Sequence, residues 1–267
     1  MLTDMLNKSK NRKWEKRPQL YKGRMFYLKR SLQIGGAALA LLMIGSTYLY
    51  FKKSDTLFVR HVMVTGNMKH LSPDIVLAIT GLKKTDKLFD VDLTTISHNV
   101  HRHPWVEDVL IRREFPDTVQ IHIEERQAVA TLHVDDFYLT DSRGMVFKKM
   151  ESSDDHNLPV ITGLTKTIVE KYPNLSHQYL KETLDFLSLI QDLDFYKKYG
   201  VSEINFDAVF GFTVYTGSGQ FEIYYGRNDI LSKHKKLEKF VGSELFMADK
   251  ILRLDLNARD KIVARLL

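Results

Sequence analysis

The side chains able to carry chemistry are few, and none completes a reactive set. His98, His101 and His103 lie close together. On a helix His98 and His101 stand three apart and share a face, so a metal ion is the first chemistry they suggest. No acidic or cysteine neighbour completes the coordination, and Pro104 turns the chain just beyond them. They read as solvated histidines at a helix end. The acid pairs Asp135–Asp136 and Asp154–Asp155 would suit glycoside hydrolysis only if two carboxyls flanked one bond, and both pairs fall in loops. "GSG" at Gly217–Gly219 lacks the helix that a phosphate loop requires, so it reads as a hairpin turn. Neither G-x-S-x-G nor H-E-x-x-H occurs. The 267 residues include no cysteine, which excludes disulfides, zinc–thiolate sites and thiol catalysis. The expectation is a protein with no enzymatic activity, no metal and no cofactor, whose work is binding.

Charge sharpens that expectation. The net charge of +6 would suggest a nucleic-acid or membrane-surface binder if it were spread evenly. It is not. Met1–Ser31 carries ten Lys or Arg against two acids, while the rest carries 29 basic and 31 acidic residues. The body therefore has no bulk electrostatic case for nucleic acid. With 44% hydrophobic and 27% charged residues it has the composition of a folded protein. Arg112, Arg113, Glu124, Glu125 and Arg126 either pair across one predicted hairpin or orient a partner. Exposed pairs contribute only ~0–1 kcal/mol, whereas at an interface such charges fix orientation.

Leu32–Phe51, "LQIGGAALALLMIGSTYLYF", has no charged residue. At ~1.5 Å per residue it spans about 30 Å as a helix, the thickness of a bilayer core. Tyr48 and Tyr50 suit the interface, and Lys29, Arg30, Lys52 and Lys53 bracket the segment. It is longer than a signal-peptide core and lacks a good cleavage site. A retained transmembrane helix is expected, with the basic tail cytoplasmic and the rest of the chain on the other side.

The elements beyond it alternate in type. "FVRHVMVTGN" predicts a strand placing Val59, His61 and Met63 on one face and Arg60, Val62 and Val64 on the other. "LSPDIVLAITGL" predicts a helix with Ser72 as N-cap, Pro73 in its first turn and Gly81 past its end. Asp92 should cap a second helix with Leu93, Ile96 and Val100 on one face. A hairpin follows, its strands meeting at "FPD", with Val109 and Ile111 on one face and Val119, Ile121 and Ile123 on another. Next come a hairpin turning at Asp141–Gly144, an extended "NLPVITG", and a helix burying Leu180, Leu184, Leu187 and Ile190. The strands "VSEINFD", "GFTVYT" and "QFEIYYG" lead to a helix capped by Asp229. "KILRLDLN" and "KIVARLL" close the chain as strands.

The order strand–helix–helix–strand–strand, with "VTGN" and "HPWVEDVLIRREFPDTVQIHIEE" behind a single membrane helix, resembles the POTRA domain of the FtsQ/DivIB cell-division proteins. Phe115 stands where members of that family more often carry Trp. The resemblance implies an α+β protein: a transmembrane helix, a POTRA domain (βααββ) and a β-rich domain with flanking helices. The expected division is residues 1–31 basic tail, 32–51 membrane helix, 52–56 stalk, 57–127 POTRA domain and 128–267 β domain.

The same resemblance implies a scaffold at the division septum, in the inner membrane, that recruits FtsB- and FtsL-like proteins. FtsB would add along the terminal strands, with Ile251, Arg253, Asp255, Ile262, Val263, Ala264, Arg265 and Leu266 as contact candidates. A free sheet edge accepts another chain's strand through main-chain hydrogen bonds. Arg112, Arg113, Glu124 and Glu125 are candidates for a second docking surface on the POTRA domain. The competing expectations are a POTRA-bearing assembly or secretion factor and a membrane-anchored cell-wall hydrolase. The first would need a barrel or further POTRA repeats, and the second would show turnover of peptidoglycan.

Overall fold

The computed structural model describes residues 20–53, 57–217, 221–259 and 261–267, with side chains in the first segment described from 30 to 50. The expected basic tail and stalk therefore lie largely outside the described residues, as do Ser218 and Gly219 of the "GSG" turn. Helix α1 (Leu20–Lys53) begins well before Leu32, inside the basic stretch. Its window Arg30–Tyr50 is long and apolar enough to cross a membrane, and none of it is buried within the protein.

Strand β1 (His61–Thr65), helices α2 (Pro73–Thr80) and α3 (Leu93–His101), and strands β2 (Val106–Glu114) and β3 (Thr118–Glu125) form the first globular unit. Its sheet order is β1-β3-β2, with β1 parallel and β2 antiparallel to β3. The caps form as expected. The Ser72 side chain accepts from Ile75 N, Gly81 is left-handed, and Asp92 accepts from Thr94 N and Thr95 N. Val76, Ile96 and Val100 from the helices bury against Val119, Ile121 and Ile123 of the central strand. Gly66, at φ +140°, ends β1 so close to the Ile123 carbonyl that a Cβ would strike it. The "VTG" motif thus uses glycine for a close backbone crossing.

One strand face differs from expectation. Val59 is buried, yet His61 and Met63 are exposed, and Val62 and Val64 are the residues that pack on the core. The N–H groups of Arg60 and His61 both donate to Asp117 O, at 2.8 and 3.3 Å. Two residues against one acceptor break the alternation just before β1.

The second unit contains β4 (Ala130–His133), β5 (Phe137–Thr140), β6 (Val146–Lys149), β7 (Val160–Thr162), α4 (Lys166–Lys171), α5 (Pro173–Gln191), α6 (Asp194–Tyr199), β8 (Glu203–Asp207), β9 (Gly211–Tyr215), β10 (Glu222–Gly226), α7 (Ile230–Val241), β11 (Ile251–Asp255) and β12 (Val263–Leu266). The strands make one sheet in the order β12-β11-β10-β9-β8-β7-β4-β5-β6. Register aligns Leu132, Ile161, Ile204, Val214, Ile223 and Leu254 in one row across six strands. That apolar row packs with Leu180, Leu184, Leu187 and Ile190 of α5 and Leu237 of α7. Neighbouring positions in the same strands (Glu203, Tyr215, Glu222, Arg253) form a polar row on the opposite face.

The short helices α4 and α6 were not expected. Asp229 also departs from its expected role: it precedes α7 in a left-handed conformation (φ 56°) with no side-chain capping bond. In that conformation the first helical N–H groups are left without its carboxylate.

Candidate docking site at the terminal sheet edge

Among the described residues the nine-stranded sheet ends at β12, which pairs antiparallel with β11 on one side alone. Val263, Ala264, Arg265 and Leu266 are all exposed. Such an edge offers unpaired backbone groups to another strand. Its side chains are mixed: Arg265 in the strand and Lys261 before it are charges of the kind that blunt a free edge, while the rest of the strand is apolar. Val263 is 49% exposed, Leu266 59% and Leu267 85%. Leu252, Leu245 and Met247 are exposed nearby in sequence.

The strand beneath is well anchored. Ile251 and Leu254 are buried in the core, and Ile262 packs against it from the connection to β12. Arg253 lies opposite Glu222 on β10 and binds it bidentately, Nε to Oε2 at 2.6 Å and Nη2 to Oε1 at 2.8 Å. That carboxylate raises the guanidinium's pKa. Asp255 accepts from Asn257 N at 2.7 Å and so shapes the exit from β11. Lys233 of α7 is buried, and its Nζ donates to Tyr225 O (2.6 Å) and Asn257 Oδ1 (2.7 Å), tying helix, β10 and the end of β11 together. Burial pushes the Lys233 pKa down.

The four hairpin candidates have unlike surroundings. Arg113 turns inward: Nε donates to Leu88 O (2.7 Å) and Nη2 to Val91 O (2.5 Å), which fastens the loop before α3. Glu125 accepts from Lys69 N (2.8 Å) and His70 N (3.0 Å), and its Oε1 lies 2.6 Å from His70 Nδ1. Burial works to raise its pKa, but these hydrogen bonds hold it below the usual range. Arg112 and Glu124 are exposed. Arg112 Nε donates to Gln120 Oε1 at 2.6 Å. Register sets Arg112 opposite Gln120 and Glu124 opposite Asp108, so the hairpin's arginines and glutamates do not pair across it.

The joint between the two units carries a group that sequence reading left among surface charges. Arg126 is buried and its Nη1 donates to Asp141 Oδ2 at 2.6 Å. Trp105 sits beside it, stacked on His70 at 3.7 Å and met edge-on by Phe147. Leu139 belongs to the core of the first unit, and Phe147, Met150 and Leu158 pack against it. That core therefore takes in side chains from β5, β6 and the segment after them. A further interior group joins α6, β10 and α7: Tyr196 Oη donates to Tyr225 Oη (3.1 Å), which lies 3.1 Å from His234 Nδ1. Burial raises both tyrosines and lowers His234.

Among the described residues no group of three His, Cys, Asp or Glu is placed to hold a metal ion. His98 and His101 are exposed, and His103 is half-buried with Nδ1 near Trp105 N. Ser232 and Lys235 have S-x-x-K spacing, but both are exposed on α7 and no hydrogen bond joins them.

Comparison with known proteins agrees with this architecture. Residues 57–126 match the family model described as "POTRA domain, FtsQ-type". Residues 128–257 match "Cell division protein FtsQ/DivIB, C-terminal". The range ends after β11, so β12 lies outside it. The cell division protein FtsQ of Geotalea daltonii is 29% identical over 253 residues, covering 93% of this chain and 90% of its own. FtsQ of Geobacter sp. strain M21 is 28% identical over 233 residues, covering 86% and 85%. FtsQ of Neisseria meningitidis serogroup B is 28% identical over 149 residues, covering 55% and 62%. With a POTRA unit, an FtsQ-type β unit and an apolar N-terminal helix in this order, the chain belongs to the FtsQ/DivIB family of cell-division proteins.

Proposed function

We propose that the protein is a non-enzymatic scaffold of the division machinery that recruits FtsB- and FtsL-like proteins to the septum by strand addition at β12. In this reading residues 1–31 are a cytoplasmic tail and 32–51 cross the inner membrane. A stalk, 52–56, leads to the POTRA domain (57–127) and β domain (128–267) on the extracytoplasmic side. The family is a scaffold type rather than an enzyme family, which favours recruitment over turnover.

One observation carries the reading. The sheet ends in an open strand whose four residues are exposed, three of them apolar, and its neighbour is locked to the core and to β10. A rigid template with a sticky free edge is what strand addition requires. Main-chain bonds supply affinity, and the flanking Arg253, Asp255 and Arg265 orient the guest. A second surface has its own support. On β2, an edge of the POTRA sheet, Leu110 is 63% exposed beside Arg112 and opposite the strand of Glu124, where a partner could seat without disturbing Arg113 or Glu125.

The test is capture of an FtsB–FtsL complex by the full chain in lipid nanodiscs, with Val263→Pro and Ala264→Pro compared. Successive N–H groups point to opposite edges of a strand. One proline therefore removes an outward donor and the other an inward one. Circular dichroism checks the fold. Loss of capture with the fold intact supports strand addition at β12. Capture unchanged in both variants moves the site elsewhere, with Leu110→Asp as the next variant.

A further inference from the structure

Three residues separate the end of α1 at Lys53 from Leu57, the first described residue of the globular part. At about 3.5 Å per residue that link reaches no more than ~14 Å, so Leu57 lies near the membrane if α1 spans it. The loop before α3 is pinned to this point: Leu88 N donates to Leu57 O at 2.7 Å, and Phe58 bridges Lys87. The next residue, Phe89, is 56% exposed. Its ring lies 5.4 Å from that of Phe115, itself 61% exposed at the tip of the β2–β3 hairpin. Two large aromatic rings thus stand side by side in solvent at the membrane end of the domain. Across an open groove of about 620 Å³ they face Ile44 and Tyr48 of α1. The groove's walls, with Leu57 and Pro116, are almost wholly apolar.

The described side chains of the helix do not fill this groove, and water is a poor occupant for it. Tyr48 lies within the apolar window Arg30–Tyr50, so the ring pair stands level with the last turns of the span. Aromatic residues favour that depth, and amphipathic surfaces insert ~5–10 Å at the headgroup boundary. We propose that Phe89 and Phe115 insert into the leaflet on the domain's side of the membrane. Lipid acyl chains fill the groove against α1 and hold the POTRA domain at a fixed tilt on the bilayer. Nearby lysines (Lys83, Lys84, Lys87) are matched in number by Asp86, Asp90 and Asp92. The docking is therefore apolar and indifferent to anionic headgroups. The inference rests on the reading of α1 as a membrane span.

The absence of cysteine allows single nitroxide labels in the full chain. Labels at Leu39, Leu110 and Glu114 are compared in phosphatidylcholine nanodiscs, with collision by oxygen and by a water-soluble nickel chelate as the readout. Glu114 adjoins Phe115 and leaves both rings in place; Leu110 lies on the same face of β2, away from the tip. The expected result is an oxygen-to-nickel ratio several-fold higher at Glu114 than at Leu110. It should fall to the Leu110 value in Phe89→Ser/Phe115→Ser, and adding phosphatidylglycerol should not change it. Equal ratios at Glu114 and Leu110, with Leu39 lipid-exposed, would overturn the proposal and spare the span. Protection of Glu114 from both probes would place a protein there, a second copy in this preparation, and would equally overturn it. A Leu39 label open to nickel would remove the span and the proposal together.

Discussion

Arg126 and Asp141 meet at 2.6 Å with both side chains buried, across the junction between the POTRA and β units. Arg126 follows β3 and also donates from Nη2 to Val106 O at 3.2 Å, while Asp141 accepts from Arg143 N and Met145 N at the β5–β6 turn. One ion pair therefore fastens the β5–β6 hairpin of the β unit to the POTRA sheet, and the packing of Leu139 and Phe147 makes the joint stiff.

Removing one partner leaves the other buried and uncompensated. Arg126→Ala and Asp141→Ala should each cost about 3–5 kcal/mol. The double variant should cost less than the sum, because the second truncation removes the orphaned charge. Urea denaturation of the four proteins measures this. Simple additivity would mean that the two residues act separately.

Acid should loosen the same region. Burial acts to raise Glu125, Asp141 and Asp154. In each it is outweighed by hydrogen bonds, from His70 to Glu125, from Met145 N and Arg126 to Asp141, and from Lys148 to Asp154. All three folded values lie below their ordinary values, so the unfolded chain binds protons first as pH falls. The stability they contribute is complete above the unfolded range, about 3.9–4.3, and is lost as pH drops through the folded values. Urea midpoints should stay level with respect to these groups down to about pH 4 and then decline, less steeply in Asp141→Asn. An equally steep decline in that variant would remove Asp141 from the account.

Much of this was legible in sequence because local chemistry dictates it. Ser72, Asp92 and Gly81 act at the helix ends their types announced, and the alternation in "TVQIHIEE" put Val119, Ile121 and Ile123 in the core. What escaped depends on residues far apart in sequence. Arg126 looked like one more hairpin charge, since its partner lies 15 residues on in another hairpin. Arg113 and Glu125 looked like surface groups, yet they bond to backbone 22–25 and 54–56 residues away. Val59 lost its expected face because two N–H groups share the Asp117 carbonyl, which no alternation encodes. That "KIVARLL" forms a strand was legible in its pattern; its place at the sheet edge and the exposure of all four of its residues come from the sheet's topology.

Two glycines should respond unequally to alanine. Gly81 is left-handed but has open space where a Cβ would go. Its substitution carries only the left-handed penalty of about 1–2 kcal/mol. Gly66, also at positive φ, would drive a Cβ into the Ile123 carbonyl. Gly66→Ala should therefore lower the thermal midpoint more than Gly81→Ala, and equal shifts would show that the β1–β3 crossing relaxes freely.

The last prediction concerns how firmly the proposed docking edge is held. β12 hangs on β11, and the exit of β11 is clamped through Asn257 by Lys233 Nζ. Asn257 in turn packs on Gly226, where an added Cβ would strike its side-chain amide. Lys233→Met keeps the aliphatic bulk and removes the donor, leaving Tyr225 O and Asn257 Oδ1 unmatched at a cost of about 1–3 kcal/mol. Burial lowers the folded Lys233 pKa, so between that value and the ordinary lysine value the unfolded chain holds more protons. Stability from this group accordingly rises as pH climbs through that window, and Lys233→Met should abolish the rise. Hydrogen exchange should quicken in β11 and β12 while β8 and β9 keep their protection, because the polar clamp acts only at that end of the sheet. If exchange quickened evenly across the sheet, Lys233 would be one more core contact. If it quickened only at the edge, capture at β12 should weaken in step, because a guest strand needs a template already held straight.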